Sequence, residues 1–598
     1  MTNEGQFNQD KAYYDHQSET TRPVGPMGSA TRYLCAAVYL DDRIRHKVLW
    51  EFIHHKFRSI APSYDGFDLA PVLEHCLRAR RISIIRDLAF VALLILFLWL
   101  KPISVIFLVA FATPFAVFSL VQSRPSILGR PIGPAATTIL SLIVLACSSF
   151  LVVLAAGYTA TSSFTQIKQI FPSLSELWLG MLGIALLYRA YIVILLRRDL
   201  APGTKPPNPS KPGSKVGEHI AWAASAQFGN VTLHARANPF IGAGDPGSPL
   251  ATSWSFTIDL DRPRSETTPV QPVDPWELQQ YIRRSIEGMG LGAAQRSDVE
   301  DRDGTAASAQ SAERITGLRP EFHVIAYGRC PQYERLVDTE HATQATAKPS
   351  TGGSHPLIDD CDVPYSLASD AMCEDLVRNP HPERRCYQRV VLGIHEAASK
   401  EQGIVAPAES HEIVVSAYIH VVVEGRMLYT DFVATVLPPV LGCFRIVDEI
   451  PAYSRWQLLE SVCGLQWPGL LGDAVLAPFR VVQSLTVMAL GDIMAATPAA
   501  NSKLVFDYGA RVSARELGSQ TGFTTYSQVL DAHKYISMIT QRMNSAVLDY
   551  LKTCEVDTSS YSEQMTQITN MYVQGNNYGV MKTGPGHATQ KLERNSRA

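Results

Sequence analysis

The chain has 598 residues, enough for several domains, and a formal net charge of only −3. A near-neutral balance does not create the field that draws proteins onto nucleic acid, so no nucleic-acid partner is expected. The ten cysteines are scattered singly, which is typical of a reducing compartment rather than of a secreted disulfide framework.

The chain begins with a polar stretch, residues 1–30, which we predict to be disordered. It lacks the basic-then-apolar pattern of a cleaved signal peptide. Residues 31–83 are predicted to form a cytoplasmic, helical juxtamembrane segment. Two interpretations stay open for it: a small helical unit packed on itself, or an amphipathic element on the inner leaflet. The second would use a basic cluster as its membrane-surface anchor: Arg78, Arg80, Arg81 and Arg86.

Residues 84–198 carry the strongest signal, a concentration of apolar residues sufficient for four transmembrane helices. A spanning helix needs about 20 apolar residues, and the runs at 136–158 and 175–196 meet that requirement directly. The block from Leu88 to Val121 is too long for one span and is interrupted at Lys101-Pro102, where proline disfavours a helix. We therefore predict a tight hairpin with spans at about 84–100 and 103–121, with a single broken helix as the alternative.

The arginines flanking the spans favour four helices over three. They lie before the first span, between the second and third (Arg124, Arg130), and after the fourth (Arg197, Arg198). Four helices place all of these flanks on one side, as the positive-inside rule requires. The sequence therefore predicts a multi-pass cell-membrane protein whose partner is the lipid bilayer and whose two termini are cytoplasmic.

A large polar region follows the spans. Residues 199–217 are a proline-rich linker, residues 218–573 a cytoplasmic α+β domain with disordered loops, and residues 574–598 a flexible tail. Strands are expected at 229–235 and 253–260, and a helix at 275–287. The clearest element is a β-hairpin over 412–437 that turns at Glu424-Gly425. Because both of its faces are largely apolar, we expect a sheet covered on both sides.

A long helix is predicted over 525–553, with an apolar stripe at alternating spacings of three and four residues. Such a stripe is either the buried face of a core helix or a seam between two copies of the chain, so a homo-oligomer is an open alternative. The candidate seam consists of Val529, Ala532, Ile536, Ile539, Met543, Ala546 and Tyr550.

Three groups of residues suggest chemistry, and none has the required pattern. Gly242–Gly247 matches GxGxxG but precedes a strand instead of the helix that a dinucleotide needs. His355, Asp359, Asp360, Cys361 and Asp362 are metal-ligand types without the spacing of a zinc or calcium site. His323 with Cys330, and His381 with Cys386, are histidine–thiol pairs that lie close in sequence, as chance groupings of these residues also do, and sequence proximity does not establish a catalytic geometry. No catalytic residue, cofactor site or metal site is therefore assigned.

Three phrases, ANPFIGAG, WSFTIDL and VFDYGARVSARELG, resemble segments of uncharacterised multi-pass membrane proteins of high-GC actinobacteria. The resemblance covers about half of the polar region and implies no activity and no site. The leading interpretation is a membrane-anchored scaffold or sensor whose cytoplasmic domain binds a protein partner or a ligand. The alternatives are a membrane-associated enzyme and, less favoured, a small transport unit with a regulatory domain, because no ionisable residue lies at mid-membrane.

Overall fold

The structure is a computed structural model. It describes residues 25–63, 67–101, 164–207, 214–235, 238–265, 268–290, 318–331, 356–359, 361–393, 413–463, 476–482, 484–486 and 505–559, together with a few isolated residues and short pieces. Apart from Val105 and Leu108, the predicted spans at 103–121 and 136–158 and the tail at 574–598 lie outside the described residues.

Nine helices of eight or more residues are described, and we number them in chain order. The first two, with the π-helical turn Trp50–His54, lead into two long apolar helices, and the other five belong to the C-terminal part. They are α1 (Ser29–Leu40), α2 (Asp42–Leu49), α3 (Leu69–Leu100), α4 (Phe164–Asp199), α5 (Lys215–Ala226), α6 (Pro275–Gly290), α7 (Asp370–Arg378), α8 (Arg455–Cys463) and α9 (Tyr526–Thr553).

Helices α3 and α4 are long and apolar enough to cross a membrane, with windows of mean hydropathy 2.3 and 2.1. Only 17% and 28% of these windows are buried, whereas the core helix of a soluble protein would be mostly buried. Helix α3 runs without a break from Leu69, so the end of the predicted juxtamembrane segment and the predicted first span are one element. No glycine or proline separates them, and nothing local ends the helix before Lys101.

The two long helices lie antiparallel, and contacts along their length fix the register. Lys101 pairs with Glu176 at 2.5 Å at one end, and Arg78 pairs with Asp199 at 2.5 Å at the other. Between these ends, the Leu93 side chain lies against Gly180. The 23 residues from Arg78 to Lys101 correspond to about 35 Å of helix, close to the thickness of a bilayer core.

A second core, which we call the membrane-proximal core because it lies at one end of the two long apolar helices, surrounds α1, whose residues Leu34 to Val38 are at most 1% exposed. It combines α1, α2, the start of α3, the end of α4, α5, residues 440–450 and Ala514. Asp41 caps α2 by accepting a hydrogen bond from the Arg43 N–H. Of the two interpretations of residues 31–83, the burial of α1 therefore favours a packed helical unit, and the interpretation as an amphipathic element on the inner leaflet is wrong for α1.

A buried ion pair joins distant parts of the chain within this region. The Arg32 guanidinium pairs with Asp448 at 2.5 Å and also donates to the Leu200 carbonyl at 3.2 Å. The Tyr33 hydroxyl donates to the same carboxylate. Both charged side chains are less than 10% exposed. The pair thus ties α1 to the end of α4 and to the segment after the sheet.

The α+β domain contains a mixed six-stranded sheet. Its strands, numbered in chain order, are β1 (Val231–His234), β2 (Thr252–Asp259), β3 (Arg319–Tyr327), β4 (Arg384–Gly393), β5 (Val414–Glu424) and β6 (Met427–Leu437). Their order across the sheet is β1-β3-β4-β5-β6-β2, and only β1 and β3 are parallel. Short strands outside this sheet are Tyr14–Asp15, Leu367–Ala368, Arg329–Pro331, Val505–Asp507, Ser126–Ile127 and Arg130–Pro131.

The predicted hairpin is confirmed as β5 and β6, which pair from Val414–Leu437 to Glu424–Met427. The turn is one residue later than expected, with Gly425 and Arg426 at its centre and φ angles of 57° and 62°. Two consecutive residues with positive φ match the type I′ turn that the right-handed twist of a hairpin favours.

One face of the sheet, which we call the helix-covered face, packs against α6, α7 and α9. It carries Ala417 and Ile419 of β5 and Phe432 of β6. On the opposite face, which carries Tyr418, His420 and Tyr429, the loop 238–250 covers only part of the surface. The ring centroid of Phe240 in this loop lies 4.4 Å from the ring centroid of Tyr418, and the two rings are tilted by 38°. The expectation of a sheet covered on both sides is therefore wrong at the turn end of the hairpin, where Tyr429 is 40% exposed.

Candidate functional site

A cleft of about 360 Å³ opens at this uncovered end of the sheet. One wall is the β5–β6 hairpin, and the other is the turn between α7 and β4. Its lining is mostly polar or charged: Leu376, Pro380, His381, Pro382, Arg384, Arg385, His420, Val422, Glu424, Tyr429 and Asp431. We call this the hairpin cleft.

His420 contributes a neutral imidazole to the hairpin cleft. Its Nδ1 lies 3.0 Å from the Cys386 carbonyl oxygen, and only a protonated Nδ1 can donate there. Burial lowers the pKa of His420 below its ordinary value, although the bond to the carbonyl partly opposes this. With Nδ1 protonated and the ring uncharged at pH 7, Nε2 is a hydrogen-bond acceptor.

His381, across the cleft, has the opposite tautomer when neutral. Its Nδ1 accepts a hydrogen bond from the Glu383 N–H at 3.2 Å, so Nε2 carries the proton. The cleft therefore combines an imidazole donor, an imidazole acceptor, two arginines and two carboxylates. This set suits a polar ligand that offers both donors and acceptors more than an apolar ligand.

Ser255, Asp431 and His420 lie in one row across β2, β6 and β5, and the register pairs each with the next. A catalytic triad needs histidine between the nucleophile and the acid. Here Asp431 is in the middle, and the Ser255 hydroxyl donates to its carboxylate at 2.5 Å. The serine proton is held by the acid and not by the base, so this row does not activate a nucleophile.

Of the two histidine–thiol pairs considered from the sequence, His381 with Cys386 does not form a catalytic dyad, and the Cys330 side chain lies outside the described residues. Cys386 is fully buried, and its hydrogen bond with Cys373 together with burial raises the pKa of its thiol well above the ordinary value. It is therefore a neutral thiol, not a nucleophilic thiolate. His323 is buried beside Thr232, with Nε2 at 2.8 Å from the hydroxyl.

The glycine-rich loop is bound internally. The Gly242 and Gly244 N–H groups donate to one carboxylate oxygen of Glu516, at 2.6 and 3.2 Å. Gly244 has a φ of +110°, and a Cβ there would lie 2.6 Å from the Val436 carbonyl oxygen. The glycines thus allow close approach to the sheet, and a side-chain carboxylate occupies the position where a phosphate would otherwise accept from these amides.

The aspartate-rich loop after residue 355 is a structured turn. Asp359 accepts hydrogen bonds from the Cys361 and Val363 N–H groups at 2.8 and 2.7 Å, and Asp362 accepts one from the Tyr508 hydroxyl. His355 and Asp360 lie outside the described residues. Among the side chains that the structure describes, no three His, Cys, Asp or Glu residues converge as a metal site.

The predicted basic cluster lies along the outer end of α3. Arg78 pairs with Asp199, Arg80 donates to the Ser484 carbonyl oxygen at 3.3 Å, and Arg81 is exposed. Arg86 pairs with Asp87 at 2.8 Å and lies over the Tyr188 ring. Three of the four arginines are therefore directed at protein contacts, and the role of the cluster at a lipid surface stays a prediction.

The predicted stripe on α9 lies against the sheet of the same chain. Its central residues, Ala532, Ile536, Ile539, Met543 and Ala546, are at most 2% exposed, while Val529 and Tyr550 at the ends are partly buried. This burial agrees with the alternative in which the stripe is the buried face of a core helix. A further association between copies stays untested.

None of the residue groups singled out in the sequence as candidate chemistry marks the hairpin cleft. Its signal was the alternation of polar residues at positions 420, 424, 429 and 431 within the apolar hairpin, on the face opposite Ile419. That alternation predicts one solvated face, but β-branched neighbours such as Val421 and Val422 obscured it.

These features define a class: an α+β domain joined through a packed helical unit to two helices long enough to cross a membrane. The family model of the AbeC-like domain matches residues 253–589, more than half of the chain. The chain belongs to this family. The match covers β2 to α9 and excludes α1 to α5. Searches of curated proteins and of solved structures found no match.

Proposed function

We propose that this protein is a membrane-anchored sensor or scaffold whose AbeC-like domain binds a cytoplasmic ligand or protein partner at the hairpin cleft. The anchor in this proposal is a multi-pass bundle with both termini in the cytoplasm, which places every arginine-rich flank on one side. Reporter fusions after Arg198 and at Ala160 should then report opposite compartments. An external location for the C-terminal residue would contradict this topology.

The observation that carries the proposal is the path of β6. This strand places Tyr429 and Asp431 in the hairpin cleft and, six residues after Asp431, ends at Leu437. Six residues of strand span about 20 Å. The chain then enters the membrane-proximal core through Val440, Phe444 and Val447, each at most 3% exposed.

Asp448 completes the connection, because it binds Arg32, whose guanidinium also donates to the carbonyl of Leu200 directly after α4. A ligand that orders or shifts the cleft end of β6 therefore acts on a strand that leads directly to the base of a membrane helix. Ligand binding in the hairpin cleft can shift the base of α4 only if the protein has two conformations of this connection that bind the ligand with different affinity.

A binding experiment with fractionated cell extract distinguishes a small-molecule ligand from a macromolecular partner. Full-length protein in nanodiscs is mixed with either the small-molecule fraction or the macromolecular fraction of a cell extract. Binding should raise its melting temperature and slow amide hydrogen exchange in β5 and β6. Protection by small molecules supports a sensor, and protection by macromolecules supports a scaffold.

Asp431→Ala should weaken binding at least about tenfold, since a hydrogen bond involving a charged group contributes about 1.5–3 kcal/mol. His381→Ala removes a neutral donor and should weaken binding about twofold to tenfold, since a neutral hydrogen bond contributes about 0.5–1.5 kcal/mol. Asp549→Ala, which removes an exposed carboxylate on α9, is the matched control and should bind normally. Binding that both cleft variants retain, or protection confined to other elements, would exclude the hairpin cleft as the site.

A further inference from the structure

Two stretches between β6 and residue 505 pack on the long apolar helices. Helix α8 lies along α4, and Leu458 contacts the membrane-proximal core. The second stretch, residues 476–482 and 484–486, is helical. Its Ala477 is fully buried beside Phe90 of α3 and Leu177 of α4, and its Ser484 carbonyl accepts from Arg80. We call these two stretches the interfacial segments.

Each interfacial segment presents apolar side chains outward. On α8, which has no buried residue, Trp456 is 81% and Leu459 is 55% exposed. In the second stretch, Ala477 and Val481 face the protein, whereas Phe479, Val482 and Leu485 are 42%, 62% and 49% exposed. Large apolar side chains gathered on one outward surface mark an interaction site.

The neighbouring surfaces indicate what this site contacts. Helix α3 exposes Ile85 and Leu88 in the turns just beyond Arg80, and α4 exposes Leu187 and Ile194 near its end. Any lipid that surrounds these helices also reaches the segments packed on them. Basic side chains lie at the same end: Arg81, Arg198 and Arg455 are exposed. Apolar and aromatic side chains beside arginines are typical of the interface with an anionic leaflet.

We propose that α8 lies in the headgroup region of the anionic leaflet and that the second stretch runs from that region, at Ser484, into the hydrocarbon at Ala477. Together they form a third contact of this chain with the bilayer, beside α3 and α4. Trp456, Leu459, Phe479, Val482 and Leu485 enter the acyl boundary, and the arginines meet the lipid phosphates. The AbeC-like domain then touches the membrane through its own residues, since both segments lie within the family match. The inference rests on the membrane location proposed above.

The experiment uses the full chain in nanodiscs that contain phosphatidylglycerol and phosphatidylcholine. A photo-crosslinking amino acid replaces Leu459 or Val482, in separate variants. Trp99, 82% exposed on the apolar part of α3, is the positive control position, and Lys534, exposed on α9, is the negative one. Mass spectrometry then measures lipid adducts. All four positions are exposed, so the label should not disturb folding.

Lipid adducts at 459 and 482 should approach the yield at 99 and exceed the yield at 534 several-fold. Adducts at 99 without adducts at 459 and 482 overturn this inference and leave the membrane location standing. No adduct even at 99 overturns both. Crosslinks from 459 or 482 to a second copy of the chain also overturn it. In discs of phosphatidylcholine alone the yield at 459 and 482 should fall, and an unchanged yield overturns the role given to the arginines.

Discussion

The sheet core and the membrane-proximal core bury comparable sets of large side chains, but they differ in composition and in how the chain supplies them. The sheet core consists of apolar side chains from α6, the β5–β6 hairpin and α9. Each of these is a continuous segment with a periodic apolar pattern. The membrane-proximal core gathers short pieces from distant parts of the chain and has charged pairs buried at its edge, Arg32 with Asp448 and Glu51 with Arg58. One core depends on apolar burial, whereas the other also depends on exact partners.

The largest expected effect is in the sheet core. Ile539→Asp places a carboxylate at a position that is 1% exposed, with hydrocarbon around it, and should lower the free energy of unfolding by about 4 kcal/mol or more. Thermal unfolding of the full chain in detergent measures this. Ser537→Asp, on the exposed side of the same helix, should change stability little.

Light scattering on the same samples tests the seam alternative. A wild-type dimer that becomes a folded monomer in Ile539→Asp would contradict packing within the domain and support a contact between copies. A variant that matches wild type in both mass and stability would show that the stripe is not buried.

The membrane-proximal core should respond to loss of one partner in a pair. Asp448→Ala leaves the Arg32 guanidinium, 6% exposed, without its carboxylate and should lower the free energy of unfolding by about 3 kcal/mol or more. The Tyr33 hydroxyl also loses its acceptor. Chemical unfolding of the variant, with amide hydrogen exchange in α1 as the readout, measures this loss of stability.

The double variant Arg32→Met with Asp448→Leu removes both charges and should be more stable than Asp448→Ala alone, because no buried charge is left unpaired. If Asp448→Ala matched wild type, the buried pair would not stabilise this core. In that case the connection proposed between the cleft and α4 would lack its last step.

Glu516 gives the smallest effect and links the two regions, since it follows Ala514 of the membrane-proximal core and holds the loop on the sheet. Burial raises the pKa of Glu516 above its ordinary value of 4.5, with the glycine N–H groups opposing the shift. A raised folded-state pKa favours the protonated carboxyl. Its stabilising contribution is therefore full below pH 4.5 and is lost as the pH rises through the folded-state pKa.

Glu516→Gln keeps an oxygen to accept from both glycines and carries no charge. It should be slightly more stable than wild type at neutral pH, and this advantage should vanish as the pH falls below 4.5. Melting temperatures across that pH range check the trend. A variant that is less stable at neutral pH, or a difference that does not vary with pH, would show that the buried carboxylate is stabilising when ionised.

Much of the sheet core could be predicted from local patterns. The β5–β6 hairpin follows from β-branched runs around Gly425, and the buried face of α9 from the spacing of Ala532, Ile536, Ile539 and Met543. The helix boundary at Thr525 also has a local cause, a capping box with Gln528. These signals involve residues within a few positions of each other.

The membrane-proximal core and the cleft could not be predicted in this way. The burial of α1 was ambiguous, because its small and aromatic residues suit both a packed helix and a surface amphipath. The hairpin cleft needs the turn after α7 to meet the end of β5, and no periodicity in either segment indicates the other.

By itself the sequence determined the apolar stretches of the two long helices, the central hairpin and the apolar face of α9, since periodicity and composition act over a few turns or a few residues. Only the tertiary structure decided which charges are buried together. Arg32 and Asp448 are 416 positions apart, and each alone looks like an ordinary surface residue. Their pairing depends on α1, the end of α4 and the segment after β6 meeting in one place, which is a property of the packed chain and not of any local pattern.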